Sequence, residues 1–339
     1  MDDLLYGTRN RRGDWTPNEP IEVAPVFVLP PRPMAFLKWL PHYFLPWNLL
    51  FALSALAYWA WVVPPVETMR TLSWGWPSWL LLVNAVTVFL FYGAFELHLY
   101  GLKRQERRFK YHAKFPSEQK SKAFWFQSQN LDNIARTFLS GVTIWTAVEV
   151  VVLWAFANGY APWLSFADHP VYLAVLALLV PVIHEVHFYC IHRLIHIPVL
   201  YKWVHSVHHR SVNASPWSSL SMHPVEHLLY FSTAFWHLII PSNPLLALYQ
   251  INFAGFGAIP GHVGFHQIEL GEKLVDSHAY EHHLHHKYFE VNYGAALIPL
   301  DQWFGTWHDG TPAGEARLKE RYRRRTERMA ARRAGKAAA

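Results

Sequence analysis

The sequence predicts an all-α integral membrane protein with about four transmembrane helices, a re-entrant or interfacial helical hairpin and a histidine-rich helical cap on the cytoplasmic side. Three observations support this fold class. The chain of 339 residues is 52% hydrophobic and only 16% charged. Its apolar residues fall in runs of about 20, the length that crosses a bilayer. Of its 22 histidines, 17 lie between His184 and His286. This composition excludes a disordered chain, and a single cysteine excludes a disulfide framework and a cysteine-based metal site.

The first segment, residues 1–41, holds seven prolines and is expected to be an irregular cytoplasmic arm. Its first apolar run begins near Leu45, too late for a secretory signal peptide. The membrane region is expected over residues 42–180, and tryptophans lie near the ends of its apolar runs, as in the aromatic belts of membrane proteins. The predicted spans are about 43–63, 79–100, 138–157 and 171–191.

A further apolar pair, about 226–241 and 244–260, is interrupted by Pro241-Ser-Asn-Pro244. Each half is short for a complete crossing. The pair is therefore predicted to be a helical hairpin that returns to the side it left.

Lysine and arginine in the connections predict the orientation, because cytoplasmic loops carry an excess of both. The 101–122 loop carries eight, the 64–78 loop carries one, and the 158–170 loop carries none. This pattern places both termini, the basic loop 101–122 and everything after about Ile191 in the cytoplasm. The basic tail, 308–339, is expected to lie near anionic headgroups and not to bind nucleic acid.

The histidines show ordered spacing in four groups, two of the form HxxxH and two of the form HxxHH. On a helix, positions i, i+3 and i+4 share one face, so each group can present two or three imidazoles together. Ten donors suffice for about five at each of two metals, and imidazole suits iron, zinc and copper. A structural zinc site needs four ligands, so ten is too many for one. The candidate ligands are His192, His196, His205, His208, His209, His262, His266, His282, His285 and His286.

Acidic residues near these groups are expected to accept hydrogen bonds from the ligating imidazoles, as carboxylates commonly do around metals. The candidates are Glu185, Glu226, Glu281, Asp276 and Asp301. Contacts of His187, His223, His227 or His278 with a metal are left open.

Two other functions remain open at this level. The segment His223-Pro-Val-Glu226-His227 has the H-x-x-E-H pattern of inverted zinc peptidases, which would make the protein a membrane zinc hydrolase. Alternatively, the chain is a non-catalytic membrane metal-binding or transport protein. A transport path would spread its histidines over several spans, whereas these gather after the fourth, which favours one capped site.

The histidine groups also resemble a known family. The string from Glu185 to His196 resembles the first histidine box of the fatty acid hydroxylase/sterol desaturase superfamily, and His205–His209 and His223–Glu226 follow in the family's order. His262–His266 is similar to its third box. His282–His286, followed by Val291-Asn-Tyr-Gly294 and Asp301–Thr306, is similar to its closing signature. The resemblance covers about 180–307, and residues 181–307 are accordingly expected to form the catalytic region.

The resemblance implies an O2-dependent di-iron membrane oxygenase that hydroxylates or desaturates a C–H bond of a lipid substrate, whether a fatty acyl chain, a sterol or a polar aminolipid. It implies that the ten histidines hold two iron ions, which zinc can replace in purified material. The chain lacks the HPGG segment of a fused haem domain, so electrons are expected from a separate reductase or ferredoxin. In a bacterium the protein would lie in the inner (plasma) membrane.

Overall fold

Helices dominate the structure, a computed structural model that describes residues 2–118 and 120–337. Four helical segments are long and apolar enough to cross a membrane: Pro33–Trp61, Gly75–Gly101, Gln129–Ala157 and Pro170–Ile195. They agree in number with the four predicted spans, and each is longer than its apolar run because less apolar turns continue the helix. The third is the most enclosed, with 56% of its apolar window buried against 17 to 28% in the others.

These segments are built from six helices and two π-helical turns, and the short helix α3 lies in the connection between the first two segments. The helices are α1 (Pro33–Phe44), α2 (Trp47–Trp61), α3 (Val66–Met69), α4 (Gly75–Glu96), α5 (Gln129–Arg136), α6 (Thr143–Ala157) and α7 (Pro170–Ile195). The π-helical turns are Leu97–Gly101, after α4, and Thr137–Val142, between α5 and α6. The expected boundary between residues 180 and 181 falls inside α7, so the membrane region and the histidine-rich region share one helix.

After α7 the chain forms the short helix α8 (Pro198–Trp203) and two 3-10 turns, His205–Arg210 and Pro216–Leu220. The predicted helical pair follows. Its elements are α9 (Pro224–Phe231), the 3-10 turn Ser232–Phe235, α10 (Trp236–Ile239) and α11 (Pro244–His262). Proline occupies the first turn of α7, α8, α9 and α11, where its fixed φ favours the helix and its missing N–H costs no helical hydrogen bond.

The turn of this hairpin lies near the start of α7, at the end of the bundle opposite His192 and His196. The Ser242 N–H donates to the carbonyl of Pro162, and the Leu164 N–H donates to the carbonyl of Ser242, so the turn contacts the connection between the third and fourth spans. Helix α11 then returns between α2, α6 and α7, with 15 of its 19 residues buried. The pair leaves the histidine end and comes back to it; its position within a bilayer remains a prediction.

The remaining elements cover the histidine end. They are β1 (Gly7–Arg9), β2 (Trp15–Pro17), β3 (Gln267–Leu270), β4 (Lys273–Asp276), α12 (Tyr280–Tyr288), α13 (Leu300–Trp303) and α14 (Pro312–Ala337). Each strand pair is an antiparallel two-stranded sheet. The basic tail is therefore a helix over most of its length.

The N-terminal arm is more ordered than the expected irregular segment. Besides the 3-10 turns Asp3–Leu5 and Pro25–Phe27, it contains the β1–β2 hairpin. Trp15 is fully buried against Phe109 and Tyr111, and the Asp3 carboxylate accepts from the Phe109 N–H at 2.9 Å. Burial of one large aromatic side chain thus holds the arm on the basic loop. The loop contains the 3-10 turn Pro116–Glu118, and a second 3-10 turn, Trp125–Gln127, follows it.

Candidate metal centre

Nine of the ten predicted histidines converge in two neighbouring clusters. In each cluster, one ring nitrogen of every histidine lies within 4.8 Å of the others. The five-histidine cluster comprises His192, His196, His205, His209 and His285, and the four-histidine cluster comprises His208, His262, His282 and His286. The clusters adjoin, since the ring centroids of His209 and His286 are 4.8 Å apart.

Both HxxHH groups divide their histidines between the clusters. His205 and His209 enter the five-histidine cluster, but His208 enters the other; His285 likewise separates from His282 and His286. Adjacent residues of a helix point about 100° apart, so an HH pair directs its two rings to different points. The spacing therefore links the two clusters, where the sequence alone suggested three imidazoles on one face.

Within each cluster the Nε2 atoms face one another at short range. The separations are 3.1 Å for His192–His205, 3.3 Å for His196–His209 and 3.1 Å for His209–His285. In the four-histidine cluster they run from 2.9 Å for His262–His282 to 3.1 Å for His208–His286.

At three of these imidazoles, the partner of the opposite ring nitrogen fixes the position of the proton. Nδ1 of His192, His262 and His285 lies 2.7, 2.8 and 2.6 Å from the carbonyls of Tyr293, Ala258 and Val291. A carbonyl only accepts, so these imidazoles carry their proton on Nδ1 and present an Nε2 lone pair. Lone pairs that converge without a proton between them fit a shared cation, and two such sets fit two metal ions.

Burial keeps these imidazoles in the form that binds metal. It lowers the pKa of His205, His208 and His285 well below the ordinary value of 6.5, and neighbouring histidines lower it further. They are therefore neutral at neutral pH, and metal binding displaces no proton from them.

Glu226 contacts the five-histidine cluster directly. Its Oε1 accepts from Nδ1 of His205 at 2.8 Å, and both side chains are buried. Glu185 does not contact a cluster histidine. Its two oxygens accept from the Ala295 N–H at 2.9 and 3.0 Å, two residues after Tyr293. Asp301 accepts from the N–H groups of Tyr293 and Gly294, which orients the Tyr293 carbonyl that holds His192.

The other two acidic candidates differ from each other. Glu281 is buried with Oε1 unpartnered, and burial raises its pKa well above the ordinary 4.5. Asp276 lies at the surface and accepts from the His278 N–H at 2.7 Å. Asp276 therefore holds the turn before α12 and contacts none of the cluster histidines.

His266 is the one predicted ligand that the structure does not bring to either cluster. Helix α11 ends at His262, and the chain then turns through Gly264 at φ +76°. The i, i+4 relation therefore breaks before His266, whose Nδ1 instead lies 3.2 Å from the Tyr111 hydroxyl, beside Trp15. No sequence signal distinguishes His266 from a ligand, because the pattern does not reveal where the helix ends.

The HPVEH segment does not assemble a metal site. His223 caps its own helix by accepting from the Val225 N–H, His227 contacts the Leu220 carbonyl through Nε2 at 3.0 Å, and Glu226 serves His205. Within residues 2–118 and 120–337, the two clusters are the groups of histidine and acidic side chains that could hold a metal ion. This arrangement disfavours the zinc hydrolase.

The remaining histidines also lie outside the clusters. His187 contacts the Leu229 carbonyl, and His278 sits at the surface beside Asp276. His283 stacks on Tyr111 with ring centroids 4.4 Å apart. The carbonyls of Tyr293, Val291, Ala258 and Ser221 are the site components that sequence reasoning missed, since any residue type supplies a carbonyl.

Comparison with known proteins supports the same region. Residues 176–306 match the family model described as fatty acid hydroxylase. The Delta(7)-sterol 5(6)-desaturase erg3C of Aspergillus fumigatus is 28% identical over 265 residues, which cover 68% of this chain and 75% of that protein. The Delta(7)-sterol 5(6)-desaturase ERG3B of Gibberella zeae is 31% identical over 141 residues, or 40% of this chain and 42% of that protein.

A further relative, the Delta(7)-sterol 5(6)-desaturase of Candida glabrata, is 28% identical over 151 residues, which cover 44% of this chain and 35% of that protein. No solved structure matches. The matched residues include all nine cluster histidines, from His192 to His286, and the loop that contains Asp301. Residues 176–306 are therefore similar to the fatty acid hydroxylase/sterol desaturase superfamily.

Proposed function

We propose that this protein is an O2-dependent di-iron membrane oxygenase that desaturates or hydroxylates a C–H bond of a lipid. The observation that carries the proposal is the pair of buried histidine clusters, with five and four converging Nε2 atoms. The three relatives are named as Delta(7)-sterol 5(6)-desaturases, which favours a sterol-like substrate and desaturation over a fatty acyl chain or an aminolipid.

In this proposal the five-histidine cluster holds one iron and the four-histidine cluster holds the other. An iron pair supplies the redox chemistry with O2 that no protein side chain provides. Desaturation takes two hydrogens from adjacent carbons and, with O2, two electrons and two protons, gives an alkene and two waters. Hydroxylation with the same inputs gives an alcohol and one water. The electrons come from a separate reductase or ferredoxin.

The side chains of this protein contribute orientation and exclusion of water. Carbonyl acceptors on Nδ1 fix the rings of His192, His262 and His285, and Glu226 fixes His205. The rings then need little reorganisation when a metal binds. Most of the cluster histidines are buried, which keeps bulk water away from the reacting bond.

Lipid access is proposed beside His196, which is only partly buried. Its neighbours Leu194 and Ile197 expose 43% and 49% of their surface at the end of the fourth span. An apolar approach of this kind suits a substrate that arrives from the bilayer. The lysine and arginine distribution supports the proposal that this end, with both termini, lies in the cytoplasm.

The test is elemental analysis of detergent-purified protein and of two variants, His208→Ala in the four-histidine cluster and His285→Ala in the five-histidine cluster. His266→Ala is the matched control, because His266 has the same side chain outside both clusters. We expect about two irons per chain in the wild type and the control, and loss in both cluster variants. Mass spectrometry of sterols from expressing cells then tests the substrate.

Two zincs lost in the same variants would support the ligand set, and O2 uptake after reconstitution with Fe(II) would then decide the redox role. Metal retained in both cluster variants would refute the assignment. An unchanged sterol profile beside an altered acyl or aminolipid profile would refute the substrate class alone.

A further inference from the structure

A second feature lies apart from the histidine clusters, beneath the first turns of α14. Here α14 packs over the segment 291–307 and leaves a cleft of about 330 Å³. The side chains that matter for its chemistry are Gln302, Trp307, Arg317, Leu318 and Arg321. The cleft is therefore mixed in character, with an apolar wall and two guanidinium groups.

Arg321 is the unusual member of this lining. It is partly buried, and its guanidinium donates to the backbone carbonyls of Gly305, at 3.1 Å, and Glu290. Its neighbours one turn away on either side have carboxylate partners: Arg317 with Asp309 at 2.7 Å and Arg325 with Glu290 at 2.6 Å. Across residues 2–118 and 120–337, Arg321 forms no ion pair within 4.0 Å.

Two neutral carbonyls leave the charge of Arg321 without a counter-charge. A partly buried cation of this kind is stabilised by an anion that enters the cleft. The fork of a guanidinium matches the oxygens of a phosphate, and Arg317 stands one helical turn away on the same lining.

The position of the cleft indicates which anion can reach it. Trp303 and Phe304 come just before the lining residues Gly305 and Trp307 in the sequence, and they are 62% and 64% exposed. The Phe304 ring stacks on Tyr189 of the fourth span with centroids 5.7 Å apart. Exposed aromatic side chains at the end of a span lie at the headgroup level of a bilayer. The cleft therefore opens close to the phosphates of the lipid.

We propose that this cleft binds a phosphate group, held by Arg321 and Arg317, and that the source is the headgroup of an anionic phospholipid. Gln302 adds an amide donor at the rim, and Leu318 with Trp307 packs against the glycerol end of the headgroup. The site includes none of the nine cluster histidines, and the proposal does not depend on the reaction proposed for them.

The test uses the full chain in neutral nanodiscs and measures retained phosphatidylglycerol by native mass spectrometry, with phosphatidylcholine as the neutral probe. Arg321→Gln is expected to weaken phosphatidylglycerol binding roughly tenfold, the value of one charge-assisted hydrogen bond. Arg328→Gln, the same change at an exposed position of α14, is expected to leave binding unchanged.

Equal weakening in both variants, or equal retention of the two lipids, would overturn the proposal. Inorganic phosphate that displaces phosphatidylglycerol at millimolar concentration would confirm recognition of the phosphate group and make a soluble anion a second source. If Arg321→Gln does not fold, Arg317→Gln tests the same site, because its side chain is 54% exposed and tolerates replacement.

Discussion

Replacement of Glu226 by alanine is expected to weaken metal binding in the five-histidine cluster while the four-histidine cluster keeps its metal. Glu226 is 3% exposed, and its Oε1 accepts from His205 Nδ1 at 2.8 Å. Alanine leaves that donor buried without an acceptor and frees the imidazole to rotate or to move its proton to Nε2. Loss of such a supporting carboxylate typically costs about 10–100-fold in metal affinity, or about 1.4–2.8 kcal/mol.

The assay is competition for Zn²⁺ with a fluorescent chelator, because zinc probes the ligand set without redox chemistry. The wild type should release two metals, and Glu226→Ala should release one of them at a roughly 10–100-fold lower chelator concentration than the wild type does. Glu226→Gln retains a carbonyl oxygen that can accept the same hydrogen bond, so its loss should be smaller.

Glu149→Gln is the matched control. Glu149 is also a buried carboxyl, but it lies in the third span, bonded to Asn84 at 2.7 Å and remote from the clusters. Wild-type zinc affinity in Glu226→Ala would refute the reasoning, as would an equal loss in Glu149→Gln, which would attribute the effect to the stability of the bundle.

Three further predictions concern stability. Gly264→Ala should lower the free energy of unfolding by about 2–4 kcal/mol, because φ is +76° and the new Cβ would lie 2.6 Å from the Ala214 carbonyl oxygen. Gly271→Ala, at φ +65° in open space, should lower it by only about 1–2 kcal/mol. Equal thermal shifts in the two variants would contradict the steric argument. Asp301→Ala removes the acceptor of two backbone N–H groups and of the Thr306 hydroxyl. Urea unfolding should show a free energy of unfolding lower by about 2–4 kcal/mol. A decrease no larger than that of a surface Asp→Ala variant would refute the role of this loop. Burial lowers the pKa of His205 and His285 well below 6.5, so in metal-free protein the unfolded chain binds more protons below that pH. The free energy of unfolding should therefore fall as the pH drops below about 6.5, by up to about 1.4 kcal/mol per unit for each such histidine, and flat stability between pH 7.5 and 5.5 would contradict this.

Sequence reasoning recovered the features that depend on local patterns. Apolar runs long enough to cross a bilayer predicted the four candidate spans, because the length and hydropathy of a segment depend only on its own residues. The turn at Pro241–Pro244 was readable for a similar reason, since proline opens α11 where its missing N–H is harmless. Ordered spacing identified nine histidines that meet in the clusters.

The tertiary structure alone decided how those histidines are shared. Spacing could not separate His208 from His209, because only the arrangement of α7, α11 and α12 around one 3-10 turn determines which Nε2 atoms meet. It could not exclude His266, because the end of α11 depends on a turn that fits between Tyr100 and Ala214. The carbonyls that orient Nδ1 are equally invisible in a sequence, since every residue has one and only the fold selects which imidazole it meets.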